Sequence, residues 1–229
     1  MRINKLLSNY GYCSRKEANR IIEDGRIVVN GVKCIPGQWV EEDDYILLDG
    51  CRVKPKEKIY IILNKPRGIT CTLEKSVNNN ILEYINYPEY IFPIGRLDKD
   101  SQGLIILTND GELANKIIGL DNENEKEYIV KVDRNFDEYF LSKLSNGVDI
   151  GGAITKKCRV KKVSNDTFNI VLTQGLNRQI RKMCKKFGYN VINLERIRIV
   201  NILMNDLEYG KRRYLNENEI NELLDCIEN

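Results

Sequence analysis

The chain is predicted to be an α+β protein with a mixed, largely antiparallel sheet flanked by helices, and three observations predict it. Strand-like segments outnumber helical ones. The two kinds do not alternate strictly, as a doubly wound parallel sheet would require. Turn signals such as Asn30-Gly31 and Asn109-Asp110-Gly111 separate short apolar runs rather than long crossovers.

The first 33 residues read as two helices and a hairpin. Ile3, Leu6, Leu7 and Tyr10 recur at helical spacing, and Gly11 interrupts them. Ser14 stands three residues before Glu17, a capping box for a second helix. Ala18, Ile21 and Ile22 supply its apolar face, Arg15, Lys16 and Arg20 its polar side, and Gly25 is a natural stop. The strand 26–29 turns at Asn30-Gly31 and returns through Val32-Lys33-Cys34. After the acidic turn Glu41-Glu42-Asp43-Asp44, the strand 45–48 completes a small unit. The charged stretch 51–58 reads as a linker, with a boundary that divides the chain into 1–55 and 56–229.

The larger part opens with a buried-type strand over 59–63 and a turn at Asn64-Lys65-Pro66-Arg67-Gly68. A short helix is expected over 81–85 and a strand over 104–107. Asn109 or Asp110 is placed to cap a helix over 112–118. The alternating segment 126–132 reads as a half-buried strand, and 136–144 as a helix. Strands are expected over 158–163 and 168–172, joined at Ser164-Asn165-Asp166. A basic helix over 177–187 closes at Gly188, and 191–200 is a further strand pattern. In the tail 214–229, Ile220, Leu223, Leu224 and Ile227 keep helical spacing, which implies packing and no other role.

Composition narrows the chemistry. At 229 residues, with 42% hydrophobic and 30% charged residues, the chain can build one large or two modest cores. No apolar run approaches the roughly 20 residues that cross a bilayer, and the opening MRINKLLSNY is too polar for a signal peptide. The seven cysteines are scattered and form no C-x-x-C pair, so reduced thiols and a cytoplasmic location are expected. With no histidine, a zinc site is disfavoured and histidine-based triads are excluded. The net charge of +3 hides a segregation. Residues 1–33 carry seven Lys/Arg against three acids, 175–213 ten against three, and 214–229 five acids with no Lys/Arg. Two basic segments suggest two surfaces for a polyanion, although solvated helix faces would look the same by charge alone.

The chemistry-bearing stretch is 94–111. A loop holding Arg96, Asp98 and Asp100 between Gly95 and Gly103 is backed by the apolar run 104–107. Such a loop aims a carboxylate into a cleft from a rigid strand, which suits a nucleophile or an acid. An Asp that merely closes its own turn would look alike. Arg96 and Asp98 alternate and so share a side. Arg178 and Arg181, at i and i+3, share a helix face near an N-terminus that favours phosphate.

These strings resemble a known family. The head, down to S-R-K-E-A and V-N-G, is similar to the S4 RNA-binding domain. The GRLD loop at 95–98, the KEY strand at 126–128 and the NRQIR helix at 177–181 resemble, in order, the pseudouridine synthases of the RsuA/RluF type. The strings QGLNRQIRKMC and GRLDKDSQGLIILTNDG are most similar to the RluF-type branch. The resemblance implies an S4-like head and a synthase catalytic domain that converts a uridine of RNA to pseudouridine without cofactor or metal. It implies Asp98 as the essential residue, acting at uracil C6 or on the sugar. It implies Tyr128 as the active-site tyrosine and Arg181 as the cation that pairs with the aspartate. Arg96 would help fill the gap left by a flipped base, while Asp100 has no direct chemical role. Arg15, Lys16, Arg20, Arg178 and Lys182 are expected to grip the RNA backbone. The partner implied is 23S ribosomal RNA and, for this branch, a tRNA anticodon as well. No heptad pattern demands a dimer and no apolar run spans a bilayer, so a monomer away from membranes is expected. Two alternatives remain open: a non-catalytic S4-type binding or assembly factor, and a sibling synthase acting on 16S RNA. An inactive paralogue would be expected to lack Asp98, Tyr128 or Arg181, and all three are present.

Overall fold

The computed structural model describes residues 1–74, 76–119 and 123–228. Two sheets organise them. The smaller has four antiparallel strands in the order β2-β1-β3-β4, formed by Ile27–Val29 (β1), Val32–Lys33 (β2), Ile46–Leu48 (β3) and Cys51–Arg52 (β4). Helices Ile3–Asn9 (α1) and Arg15–Glu23 (α2) precede them. Asn30 and Gly31 both take positive φ, as a type I′ hairpin requires. Ser14 caps α2 by accepting from the Glu17 amide at 3.1 Å. The predicted apolar face of α1 and α2 is buried: Ile3, Leu6, Leu7, Ala18 and Ile22 form one cluster with Ile27, Val40, Ile46 and Val53.

The expected linker begins later than the charge pattern suggests. Cys51 and Arg52 pair with Leu48 and Leu47 across a turn at Asp49-Gly50, both at positive φ. That Asp-Gly pair is itself a hairpin signal, hidden by the polar residues around it.

Among the described residues the larger sheet has nine strands. Along its main path the order is β13-β5-β7-β11-β8-β10-β9. These are Arg212–Tyr214 (β13), Tyr60–Lys65 (β5), Gln102–Thr108 (β7), Val191–Ile199 (β11), Lys126–Val132 (β8), Thr167–Leu172 (β10) and Arg159–Lys162 (β9). Phe92–Pro93 (β6) pairs with β7 and Ile202–Leu203 (β12) with β11. Only the β7–β11 contact is parallel among the described strands, so the sheet is mixed and largely antiparallel. The helices are Ile81–Ile85 (α3), Gly111–Ile118 (α4), Glu138–Ser145 (α5), Gln179–Lys186 (α6) and Glu217–Glu228 (α7). Asp110 caps α4, accepting from the amides of Glu112 and Leu113. Asn109 instead bonds the Ile59 amide and the Glu57 carbonyl, tying the start of the larger part to the end of β7.

The sheet's faces carry three clusters. One gathers Phe136, Phe140, Phe168, Ile180 and Met183 between α5, α6 and the β8–β10 end. A second packs α4 and α7 onto Ile62, Leu104 and Ile106, with Leu223 fully buried. A third sets α3 against Ile61, Leu63, Leu97, Ile105 and Leu107. The tail helix therefore packs as its spacing predicts, with residue 229 outside the described residues. The strand β13 has no signature in the sequence. Its Arg-Arg-Tyr residues carry no apolar alternation, and it exists because β5 offers it an edge.

Candidate active site

The loop 94–101 is held on both sides of Asp98. Upstream, the Ile94 amide bonds the Ile106 carbonyl at 2.7 Å, and Leu97 is buried in the third cluster. Downstream, the Ser101 amide closes a turn onto the Asp98 carbonyl at 3.0 Å, and the Gly68 amide holds the Lys99 carbonyl at 2.8 Å. Gly103 is required sterically. Its φ is +105°, and a Cβ there would lie 2.3 Å from the Arg196 carbonyl oxygen of the parallel neighbour β11. A carboxylate on so constrained a loop needs little reorganisation before a reaction.

Helix α6 supplies the opposite wall. Its N-cap, Arg178, takes a left-handed conformation (φ 51°, ψ 35°) without a side-chain cap, a state that costs a non-glycine residue on the order of 1–3 kcal/mol. Its guanidinium makes a two-pronged bond to Asp100, Nη1 and Nη2 each 3.0 Å from one oxygen. The pairing holds the Asp100 carboxyl below the usual carboxylate range and raises Arg178.

One turn on, Arg181 reaches across the cleft. It donates through Nη2 to the Asp100 carbonyl at 3.0 Å and to Ser101 Oγ at 3.2 Å, and through Nη1 to the Val191 carbonyl at 3.1 Å. Its Nε makes no hydrogen bond; it lies 3.4 Å from an Asp100 oxygen and 4.0 Å from an Asp98 oxygen. The side chain is 13% exposed, and burial is the chief cause that lowers its pKa. Asp98 is 27% exposed, with Arg178 Nη1 at 3.7 Å. It thus faces two guanidinium groups and keeps part of its surface exposed.

A groove of about 560 Å³ opens beside these residues, lined by Arg67, Lys99, Asp100, Arg178, Arg181 and the apolar pair Val191 and Ile192. Arg67 bonds the Ile192 carbonyl at 2.7 Å, so it forms part of the rim. Beneath the loop lies Lys65, fully buried, donating to the carbonyls of Pro66 and Ile69 at 2.8 and 2.9 Å. Burial lowers its pKa, while Asp98 and Asp100 pull the other way. Arg196, also buried, clasps the Leu104 carbonyl at 2.7 Å.

Tyr128 stands on β8, opposite Arg196 of β11 and Ile170 of β10. It is half-buried and packs against two clusters at once, including the one that holds Leu97. Two positions along the same face of the strand, Lys126 has its pKa lowered to about 8, chiefly by burial and then by Arg196.

Of the residues singled out in the sequence, the structure brings Asp98, Arg178 and Arg181 together. It places Arg178 differently from the expectation of a free backbone grip, because Asp100 already engages its guanidinium. Lys182 and Arg96 are not buried, and Arg96 does not line the groove. Arg15, Lys16 and Arg20 lie exposed on α2, on the smaller sheet's unit. The sequence gives Asp100 no direct role, and it does not single out Lys65 or Arg196. The one signal for Lys65 is its place directly before Pro66 in a turn. For Arg196 there is none, since a charged residue in a strand pattern reads as outward-facing.

The chain belongs to the RNA pseudouridylate synthase family, whose model matches residues 59–186, and an S4 domain matches residues 1–46. It is an isomerase of RNA uridines. The dual-specificity RNA pseudouridine synthase RluF of Escherichia coli (strain K12) is 47% identical to it over 232 residues, covering 100% of this chain and 80% of that protein. The ribosomal large subunit pseudouridine synthase B of Bacillus subtilis (strain 168) is 33% identical over 97% of this chain and 95% of its own length. A crystal structure of a pseudouridylate synthase superposes with a TM-score of 0.72 at 25% identity, covering 97% of this chain and 99% of that one.

Proposed function

We propose that this enzyme isomerises a specific uridine of 23S ribosomal RNA, with a tRNA anticodon uridine as a second target, through Asp98. The observation that carries the proposal is the placement of an accessible carboxylate on a pinned loop opposite two guanidinium groups. The large-subunit and dual-specificity names of its relatives favour these RNAs over 16S RNA.

The reaction breaks the N1–C1′ bond, rotates the uracil, joins C5 to C1′ and releases the C5 proton. Electrons are conserved, so the chain's own residues suffice as a reading of the chemistry. Asp98 acts as nucleophile or base, at uracil C6 or at the sugar. Arg178 and Arg181, 3.7 and 4.0 Å from its carboxylate, orient it. Tyr128 offers a ring for stacking and a hydroxyl for proton transfer. Arg96, on the loop, takes the space of the extruded base. Arg15, Lys16 and Arg20 hold the RNA backbone through the head, and Lys182 does so beside the cleft. The same proposal divides the chain into a binding unit, 1–55, and a catalytic unit, 56–229, in keeping with separate clusters ending at Val53 and beginning at Ile59. It also takes the enzyme to be a cytoplasmic monomer. No helix of the described residues is long and apolar enough to cross a membrane.

The test is tritium release from RNA labelled with 5-³H-uridine, comparing 23S RNA, 16S RNA and tRNA. Release from 23S RNA and tRNA, absent with Asp98→Ala, is expected. Release only from 16S RNA overturns the substrate, and undiminished release by the variant overturns Asp98.

A further inference from the structure

The head presents an aromatic side chain to solvent. Trp39, the chain's single tryptophan, is 72% exposed. Tryptophan is highly buried on average, and the backbone that carries this one is pinned. Residues 38–40 run antiparallel to the first residues of the chain. Trp39 bridges Arg2, the Ile3 amide bonds the Gln38 carbonyl at 2.9 Å, and the Val40 amide bonds the Met1 carbonyl at 2.8 Å. Residues opposed in an antiparallel pair share a face, so the Arg2 side chain stands beside the indole. Behind the bridge, Ile3 and Val40 are buried in the head's core.

The indole borders a groove of about 330 Å³ whose other walls are Met1, Arg2, Asn4, Lys5 and Arg15. Three of the six lining residues are cations and none is an acid. Among the described residues, the charged groups of Arg2, Lys5 and Arg15 have no hydrogen-bond or ion-pair partner. An aromatic face ringed by unpaired cations is the arrangement that takes a nucleotide, with the base on the ring and its phosphates on the cations. A purely apolar peptide would leave three positive charges unmatched at the rim.

We propose that Trp39, with Arg2, Lys5 and Arg15, is a stacking subsite for one unpaired base of the RNA substrate, distinct from the uridine that reacts. The proposal rests on the RNA-modifying reading above and adds to it a second point of base contact. The base must be unpaired, because a side chain cannot stack on the faces of bases inside an A-form duplex. Helix α2 then grips the flanking backbone through Arg15, which belongs both to this groove and to the helix's basic side. The head would thereby read where a stem ends, not its sequence.

Because the tryptophan is single, its fluorescence reports this site alone. Wild-type enzyme is titrated with a hairpin RNA bearing a short single-stranded extension, and with the same RNA carrying abasic residues in the extension. End-label anisotropy follows binding independently. The extended RNA is expected to quench the tryptophan, and the abasic RNA to bind more weakly without quenching. Trp39→Ala should weaken binding of the extended RNA by roughly five- to 150-fold, leave the salt slope unchanged, and leave the abasic RNA unaffected. Trp39→Phe should recover most of the loss. Saturating binding with an unquenched tryptophan, or wild-type affinity in Trp39→Ala, overturns the proposal. Failure of the underlying reading looks different: neither binding nor tritium release with any RNA.

Discussion

The cations of the S4 head and those of the catalytic cleft are the same residue types in opposite circumstances. On α2, Arg15, Lys16 and Arg20 are exposed and have no partner among the described residues. In the cleft, Arg178 and Arg181 are engaged by Asp100, Ser101 and Val191, and lie within 4.0 Å of Asp98. A free surface cation exchanges salt counterions for phosphate and contributes affinity. A cation already held by carboxylates and carbonyls contributes geometry, since its charge is largely matched before RNA arrives. The head is therefore read as the source of binding, and the cleft as the source of turnover.

Substitutions in the cleft should break the comparison most visibly. Asp98→Asn is expected to lower single-turnover pseudouridine formation by at least ~10³-fold, with RNA affinity near that of wild type. A parallel loss of affinity would mean that the loop, not the carboxylate, had failed.

Arg181→Lys keeps a charge but loses the forked bonds to Asp100, Ser101 and Val191. Turnover should fall on the order of 10²-fold, again with little change in the concentration of RNA at half-saturation. If affinity falls and turnover does not, Arg181 belongs with the head's cations.

Asp100→Asn sharpens the contrast by releasing Arg178. RNA should then bind more tightly, with a steeper salt slope, while turnover drops because Arg178 and Arg181 are no longer held. The wild-type pair has its own pH signature. The Asp100 carboxyl is held below its ordinary value of 3.8, so the stabilisation is complete above that pH and is lost as pH falls through the depressed folded value. Acid unfolding of wild type and Asp100→Asn, monitored by circular dichroism, should converge only in that acid range.

In the head, Arg15→Ala with Lys16→Ala should reduce the slope of log affinity against log salt by about 0.7–0.9 for each phosphate no longer neutralised, and leave single-turnover rates nearly intact. An unchanged slope would remove these residues from the phosphate-binding surface.

The smallest effect is expected at Lys126. Its folded pKa of about 8 lies below the ordinary 10.5, so the unfolded chain binds the extra proton between those values. Stability therefore rises with pH across that window and is flat below it. Lys126→Met should abolish this rise in a thermal-melt series, relative to wild type.

The capped helices and the Asn30-Gly31 hairpin are legible because local bonding makes them: Ser14 on Glu17, Asp110 on α4, two residues at positive φ. The GRLD and NRQIR strings are legible as well, and with them the family. By itself, then, the sequence determined the α+β class, the order and approximate limits of the main elements, and the residues on which the chemistry is proposed to rest. Only the tertiary structure decided that Arg178 meets Asp100. Arg178 and Asp100 are 78 residues apart, and no spacing rule connects them. Their meeting depends on β7 and β11 lying side by side in parallel, which needs Gly103 where a side chain would strike Arg196. The same is true of β13, of buried Lys65 and Arg196, and of Trp39 beside Arg2. Each is set by long-range pairing of backbone, and backbone pairing leaves no trace in the periodicity of side chains.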